Sequence, residues 1–160
     1  MLIKTKYFGE VDLDEKKVIT FDNGMMGFEE YKKFAILYDI EKERENSISW
    51  LQSLDVPELA FPVINPFLVE ENYKPTVNDE YLESLGIFED GDLIILLTVT
   101  VPEKIEKITA NFKAPIVINV VTGKGCQVIA ENQEYKVKQE IYEILKQRKG
   151  ANECSHSQEN

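Results

Sequence analysis

The chain has 160 residues, of which 43% are hydrophobic and 29% are charged. This length suits one domain, and the composition is that of a globular chain rather than a disordered one. The 29 acidic residues outnumber the 18 basic ones, which gives a formal charge of −11. Such a chain repels phosphate backbones and anionic lipids, so direct binding of nucleic acid or membranes is disfavoured. The charge would speed encounter with a basic protein, although an acidic surface more often serves only solubility.

The start of the chain and its cysteines indicate a cellular compartment. Residues 1–7 alternate and reach charged side chains too early for a signal peptide, and no run approaches the roughly 20 apolar residues of a membrane span. Cys126 and Cys154 are the only cysteines. Two cysteines form neither a disulfide framework nor a metal quartet. We expect a cytoplasmic protein in a reducing environment.

Short runs rich in Val, Ile, Thr or aromatic residues predict eight β-strands. In chain order they are 2–7, 18–21, 34–38, 48–53, 60–64, 93–101, 116–121 and 127–130. Turn residues separate them, and Thr-Gly-Lys-Gly at 122–125 is a strong hairpin signal. No regular alternation of strands with amphipathic helices is present. The pattern predicts a mainly β fold, a compact antiparallel β-barrel-like single domain.

Two segments predict helices. The first is a short mid-chain helix over 79–85, where Asn78 or Asp79 can cap the N-terminus and Gly86 can end the helix. The second, over 139–149, has a helical apolar stripe and basic residues in its last turn, and we expect it to cover an open barrel end. The domain is thus predicted to span 1–149, followed by a disordered polar tail at 150–160.

The side chains of most catalytic templates are missing. His156 is the only histidine and lies in the predicted tail, so a catalytic triad or a multi-histidine metal site has nothing to be built from. The glycines lack the spacing of phosphate-binding loops. Acidic residues lie in polar runs typical of solvated faces. No catalytic, cofactor-binding or metal-binding residue is assigned; a hydrolase with paired carboxylates stays an alternative that requires two adjacent acids in a cleft.

Prolines beside aromatic and aliphatic residues indicate a binding surface. Pro62, Pro102 and Pro115 each remove a backbone donor, which interrupts strand pairing and can leave a groove for a partner's apolar side chains. The residues predicted to line a shared or adjacent groove are Phe61, Pro62, Val63, Asn65, Val101 and Pro102. The alternative is that Phe61 belongs to the core and the prolines shape barrel corners. Trp50, in a strand-like run with little polar cover, is expected to support the fold.

Four segments, in this order, resemble the bacterial flagellar assembly factor family FliW. They are FDNGMMGF at 21–28, SWLQS at 49–53 followed by AFPV at 60–63, TANFKAPIVIN at 109–119, and GCQV at 125–128. The resemblance runs from about residue 3 to residue 135. One departure is Met26, which stands where the family pattern has a proline.

The resemblance implies an adaptor without enzymatic activity that needs no cofactor. It implies that the protein binds flagellin in the cytoplasm and, once flagellin has been exported, binds the RNA-binding carbon storage regulator CsrA and relieves repression of flagellin translation. We expect a monomer that contacts neither nucleic acid nor membranes directly. The alternative from another class is a β-barrel that holds a small ligand in its mouth, which predicts a sizeable internal cavity.

Overall fold

The computed structural model describes residues 1–38 and 48–147. The strands within these residues are β1 (Leu2–Lys4), β2 (Glu10–Asp12), β3 (Ile19–Phe21), β4 (Lys33–Leu37), β5 (Ile48–Ser53), β6 (Ala60–Ile64), β7 (Leu93–Thr100), β8 (Thr109–Ala110), β9 (Ile116–Asn119), β10 (Lys124–Gln127) and β11 (Gln139–Glu140). The 3₁₀ helices are Glu15–Lys17, Pro66–Leu68, Asp79–Leu85 and Ile105–Lys107. Residues 142–147 are α-helical and are called the C-terminal helix.

Seven of these strands close into a barrel. Strands β3 to β7 pair antiparallel in chain order, β7 pairs with β9, and β9 forms a hairpin with β10. The circle closes where β10 lies parallel to β3, with Gly125 opposite Phe21. A Cβ atom at Gly125 would lie 2.8 Å from the Phe21 ring, so the missing side chain makes room for that ring. The predicted mainly β, barrel-like fold is confirmed; the parallel pair is its one departure from the antiparallel pattern.

The barrel interior is filled by large side chains. Alternate residues of a strand point to opposite faces, so each barrel strand sends every second side chain inward. Phe21 and Phe34 meet edge to face inside, with ring centroids 5.4 Å apart. The buried interior cluster consists of Ile19, Phe21, Met25, Phe34, Leu51, Val63, Ile116 and Ile118.

Three further apolar clusters cover the outside of the barrel. The β1–β2 hairpin packs Ile3 and Leu13 against Ala35 of β4. The Asp79–Leu85 helix places Leu85 against β9 and β10. The third cluster joins the outer faces of β6 and β7 to Ile141 and the C-terminal helix. The predicted covering of a barrel end by this helix is wrong, because its side chains pack with the outer cluster on the barrel's flank.

Local capping explains the mid-chain helix, which has the predicted bounds. The Asn78 side chain accepts a hydrogen bond from the Glu80 N–H at 3.0 Å. Gly86 follows the last residue with φ = 78°, a left-handed conformation that favours glycine. The segment is a 3₁₀ helix. The cap and the terminating glycine therefore set the bounds, and both were readable from the sequence.

The predicted strand and helix boundaries are less accurate near the C-terminus. The strand predicted at 127–130 is instead β10 (Lys124–Gln127), directly after the turn. The helix predicted from 139 begins at 142, because Gln139 and Glu140 form β11 and pair with β8. Strands β2, β8 and β11 were not predicted, since two or three polar or mixed residues carry no β pattern. The predicted helix end at 148–149 and the tail at 150–160 lie outside the described residues.

Candidate protein-binding site

Three of the predicted binding residues are consecutive in β6 and therefore point to alternate faces. Val63 lies in the barrel interior with no exposed surface, so its side chain packs in the core beneath the surface of β6. Phe61 points to the same side as Val63 and packs against the interior cluster. Pro62 faces outward, opposite Trp50 of β5.

The half-buried Phe61 connects the interior to the surface. Its ring meets Phe34 of the interior at 6.1 Å between centroids and the exposed Phe28 edge to face at 5.1 Å. Phe28 is 38% exposed, and Met26 in the same turn is 44% exposed. The Phe61 ring therefore contacts both the core and the surface, and its role in partner binding stays a prediction. We call Met26, Phe28 and Phe61 the Phe61 rim.

The turn that carries the rim is held in one conformation. The Gln127 side chain of β10 accepts the Met26 N–H at 2.9 Å, which ties the turn to the barrel wall. Gly24 has φ = 66°, and a Cβ atom there would lie 2.5 Å from the Glu29 Cα. Only glycine fits at this position. This segment carries part of the family resemblance, but Met26 and Phe28 were not among the predicted site residues.

Acidic side chains follow the rim directly. Hydrogen bonds from the backbone N–H groups of Glu29 and Gly27 lower the pKa of the Glu29 carboxyl group. The carboxylate is therefore charged at neutral pH. The neighbouring carboxylate of Glu30 raises the pKa of Tyr31, which keeps that hydroxyl protonated. Glu29 and Glu30 are both exposed. The rim thus presents apolar rings next to negative charge, a surface suited to a partner with apolar and basic residues.

The remaining predicted residues lie around β6 and β7. Asn65 is exposed, and its side chain accepts the Phe67 N–H at 3.0 Å, which caps the Pro66–Leu68 helix. Val101 is 48% exposed and the half-buried Pro102 follows it.

The strand register brings part of the set together. Strands β6 and β7 are antiparallel with Val63 opposite Thr98, so Phe61 lies at the same end of this pair as Val101. Asn65 lies towards the other end of β6. The assignment of these residues to partner binding stays a prediction.

Trp50 lies on the barrel surface, and its expected support of the fold stays a prediction. It is half-buried on the outer face of the barrel, where its ring meets that of Tyr7 at 4.2 Å between centroids. The alternation of β5 explains this, because the neighbouring Leu51 fills the interior. The Trp50–Tyr7 pair was missed as a surface feature, although the alternation of the run contained the signal.

Chemically reactive groups are sparse in the described part of the chain. No group of three or more His, Cys, Asp or Glu side chains is placed to hold a metal ion within residues 1–38 and 48–147. Burial raises the pKa of the Cys126 thiol to about 11, outweighing its hydrogen bond to Ser84, so the thiol is protonated at neutral pH. No helix in these two ranges is long and apolar enough to cross a membrane.

The fold and the rim together define a class: a small closed β-barrel with a filled interior and an apolar surface at one end. The family model described as "FliW protein" matches residues 2–141. A flagellar assembly factor FliW from Lachnospira eligens is 49% identical over 147 residues, covering 91% of this chain and 97% of the relative. One from Leptospira interrogans is 42% identical over 142 residues, covering 88% and 93%. A crystal structure of the flagellar assembly factor FliW superposes with a TM-score of 0.79 at 37% identity, covering 89% and 97%. The chain belongs to the FliW family of flagellar assembly factors.

Proposed function

We propose that this flagellar assembly factor binds flagellin in the cytoplasm and, when free of flagellin, binds and antagonises CsrA, which relieves repression of flagellin translation. The proposed protein is a monomeric adaptor without enzymatic activity. The observation that carries the proposal is the family match over residues 2–141, which includes the whole barrel and its rim. A role as assembly factor is not a catalytic one.

The Phe61 rim supports a role in binding proteins. Aromatic side chains in well-packed surroundings are the usual anchors of protein interfaces, and Phe28 and Phe61 meet this description. The hydrogen bond from the Met26 N–H to Gln127 ties the turn of the rim to the barrel wall, and such preorganisation lowers the entropy lost on association. The charge of −11 and the acidic residues after Phe28 favour encounter with a basic partner such as an RNA-binding protein.

The alternative of a small-ligand barrel is less well supported. It requires a cavity inside the barrel, whereas Phe21, Phe34 and Leu51 occupy that space with no exposed surface. A ligand would have to displace these side chains from a closely packed core.

The partner switch is tested by displacement. Purified flagellin is added to a preformed complex of this protein with CsrA, and binding of CsrA to flagellin messenger RNA is followed by gel shift. We expect flagellin to release CsrA and to restore the RNA complex, because one small rigid barrel makes overlapping or adjacent footprints the simplest route to exclusion. A stable ternary complex in which RNA stays excluded would refute the switch even if both binary interactions were real.

A further inference from the structure

A second group of exposed apolar side chains lies at the other end of β7. Val121 is 71% exposed, Val120 56% and Phe88 40%, and Ile87 is 93% exposed. They belong to two loops, one after the Asp79–Leu85 helix and one between β9 and β10. We call these four residues the Asn119 ridge, after the buried residue that joins the loops.

Asn119 connects the two loops through its side chain. It has no exposed surface. Its Nδ2 donates to the carbonyl oxygens of Leu85 at 2.9 Å and Ile87 at 3.3 Å, and its Oδ1 accepts the N–H groups of Val121 at 3.0 Å and Thr122 at 3.2 Å. One amide thus satisfies four backbone groups: the carbonyls of the last helix residue Leu85 and of Ile87 in the loop after it, and two N–H groups of the β9–β10 loop. The apolar side chains of the ridge are exposed on a fixed support and not on loose loops.

Further contacts hold the same support. The Thr122 hydroxyl donates to the Leu85 carbonyl at 2.9 Å. The Val120 N–H donates to the Asp92 carbonyl at 2.9 Å. Gly86 and Gly123 adopt φ of 78° and 73°, conformations that side chains rarely take. Four exposed apolar side chains on a preorganised support are typical of an interaction surface, because exposure without a partner brings only a solubility cost.

The charge around the ridge is negative. From residue 75 to residue 103 the sequence contains seven acidic residues and no Lys, Arg or His. Glu89, Asp90 and Asp92 directly follow the ridge residue Phe88. On the hairpin, the Lys124 ammonium lies 3.0 Å from the Asp22 carboxylate, which pairs its charge. The neighbouring segment 14–17 holds two acids and two lysines and adds no net charge.

We propose that the Asn119 ridge docks a cationic amphipathic segment of a partner protein, in which aliphatic side chains alternate with lysine or arginine. The aliphatic side chains would cover the ridge and the cations would meet the acidic border. A second copy of this chain would bring two acidic borders face to face, and nucleic acid or anionic lipid would be repelled in the same way. Cationic protein is the occupant that both the apolar and the charged features fit.

This surface is separate from the Phe61 rim, so the inference goes beyond the proposed function. The ridge adjoins Leu93 at one end of β7, and Phe61 of the rim lies beside the other end, because Val63 pairs with Thr98 in the antiparallel β6–β7 pair. Eight strand residues at a rise of about 3.3 Å each separate the two ends by roughly 25 Å. A binding test with synthetic peptides involves neither flagellin nor CsrA, and its outcome is therefore independent of theirs.

The test uses three peptides of equal length: one of leucine and lysine, one of serine and lysine, and one of leucine and glutamate. Binding to the full chain is measured by fluorescence anisotropy at low and at high salt, and amide shifts in NMR spectra locate the site. We expect the leucine–lysine peptide to bind, to weaken as salt rises, and to shift the amides of 86–92 and 119–123. Equal binding of the serine–lysine peptide would show that the ridge acts only as an acidic surface, and this would overturn the proposal. Binding of the leucine–glutamate peptide would also overturn it, and so would the absence of binding by any peptide.

Matched variants distinguish binding at the ridge from nonspecific binding to exposed apolar side chains. Val121→Ser and Ile87→Ser remove exposed side chains whose loss does not disturb the core. We expect the double variant to weaken the leucine–lysine peptide roughly tenfold, as truncation of interface anchors does. The control is Val137→Ser, which removes a side chain that is 57% exposed elsewhere. Equal weakening by the control, or unchanged binding in the double variant, would contradict the assignment to the ridge.

Discussion

The Phe61 rim and the Asn119 ridge both expose apolar side chains, but different forces hold them. Phe61 continues the core, since its ring contacts Phe34 inside the barrel and Phe28 at the surface. The ridge lies outside the core, and hydrogen bonds from one buried amide fix its loops. The comparison shows that exposed apolar residues can be held in place either by packing against the core or by hydrogen bonds from a buried polar side chain. At the rim, substitution of Phe61 should therefore lower both stability and binding. At the ridge, substitution of Asn119 should lower stability, whereas substitution of Val121 should lower binding alone.

The largest expected effect is that of Asn119→Ala. The substitution removes the partner of three part-buried backbone groups, the Ile87 carbonyl and the N–H groups of Val121 and Thr122, while the Leu85 carbonyl keeps its bond from the Thr122 hydroxyl. Each group left without a partner costs about 1 kcal/mol, the lower end of the range for buried groups. We expect the free energy of unfolding, measured in urea, to fall by about 3 kcal/mol or more. Asn72→Ala, at an exposed asparagine, is the control and should change little. A loss below about 1 kcal/mol for Asn119→Ala would mean that water replaces the amide and that the ridge is not held as described.

Phe61→Ala is expected to rank next. Its ring is half-buried, so the loss should fall below the about 3–5 kcal/mol of a fully buried phenylalanine, at about 2 kcal/mol. The variant should stay folded, which circular dichroism can check, and should bind partners less well. Complete unfolding would assign Phe61 to the core alone and would end its role at the rim.

Trp50→Ala tests whether outward placement limits the damage to the fold. Because Trp50 packs on Tyr7 at the barrel surface, we expect a loss of about 1–2 kcal/mol, smaller than that of Phe61→Ala. Urea unfolding of the two variants side by side gives the order. The reverse order would restore the sequence-based expectation that Trp50 is the more important of the two for folding.

Cys126 reports on the packing beneath the ridge, where it contacts the Leu85 cluster. In a Cys154→Ser variant, alkylation at pH 8 should be slow in the native state and fast in urea, since burial raises the pKa of the thiol to about 11. The folded state therefore holds this proton more tightly than the unfolded state. Its contribution to stability is complete below about pH 9 and is lost as the pH rises towards about 11. Fast native alkylation would show that the base of the ridge opens readily.

The smallest expected effect on stability is that of Val121→Ser. The side chain is largely exposed and no interior cluster contains it, so the free energy of unfolding should change by less than about 0.5 kcal/mol. Thermal unfolding of the variant beside the unchanged chain measures this. A clear loss would show that the ridge packs against the fold and would remove the contrast with the rim.

Local features of the fold were predictable from the sequence. Alternating apolar residues placed β5 and β6 at their observed bounds, and Asn78 with Gly86 set the bounds of the mid-chain helix. The parallel pairing of β10 with β3 was not predictable, because no turn joins these strands and about a hundred residues separate them. Pairing across such a distance depends on closure of the whole barrel.

The candidate site also combines residues that were predictable from the sequence with contacts that only the folded chain creates. Phe61 was identified from the sequence, but its neighbour Phe28 is 33 residues earlier, and only the folded barrel brings the rings together. Val63 was assigned to the groove because the sequence alone did not show which face of β6 points inward. Asn119 appeared as the polar end of an apolar run, and its partners Leu85 and Ile87 come from a distant loop. Contacts of this kind follow from topology and leave no local pattern.

The most direct test of the account is a calorimetric titration of CsrA into Phe28→Ala and Tyr81→Ala variants. Both remove an exposed aromatic ring, but only Phe28 belongs to the Phe61 rim. We predict that Phe28→Ala weakens CsrA binding roughly tenfold, as the loss of an aromatic anchor does, and that Tyr81→Ala leaves it unchanged. Unchanged binding by Phe28→Ala, or a loss confined to Tyr81→Ala, would contradict the assignment of partner binding to the rim.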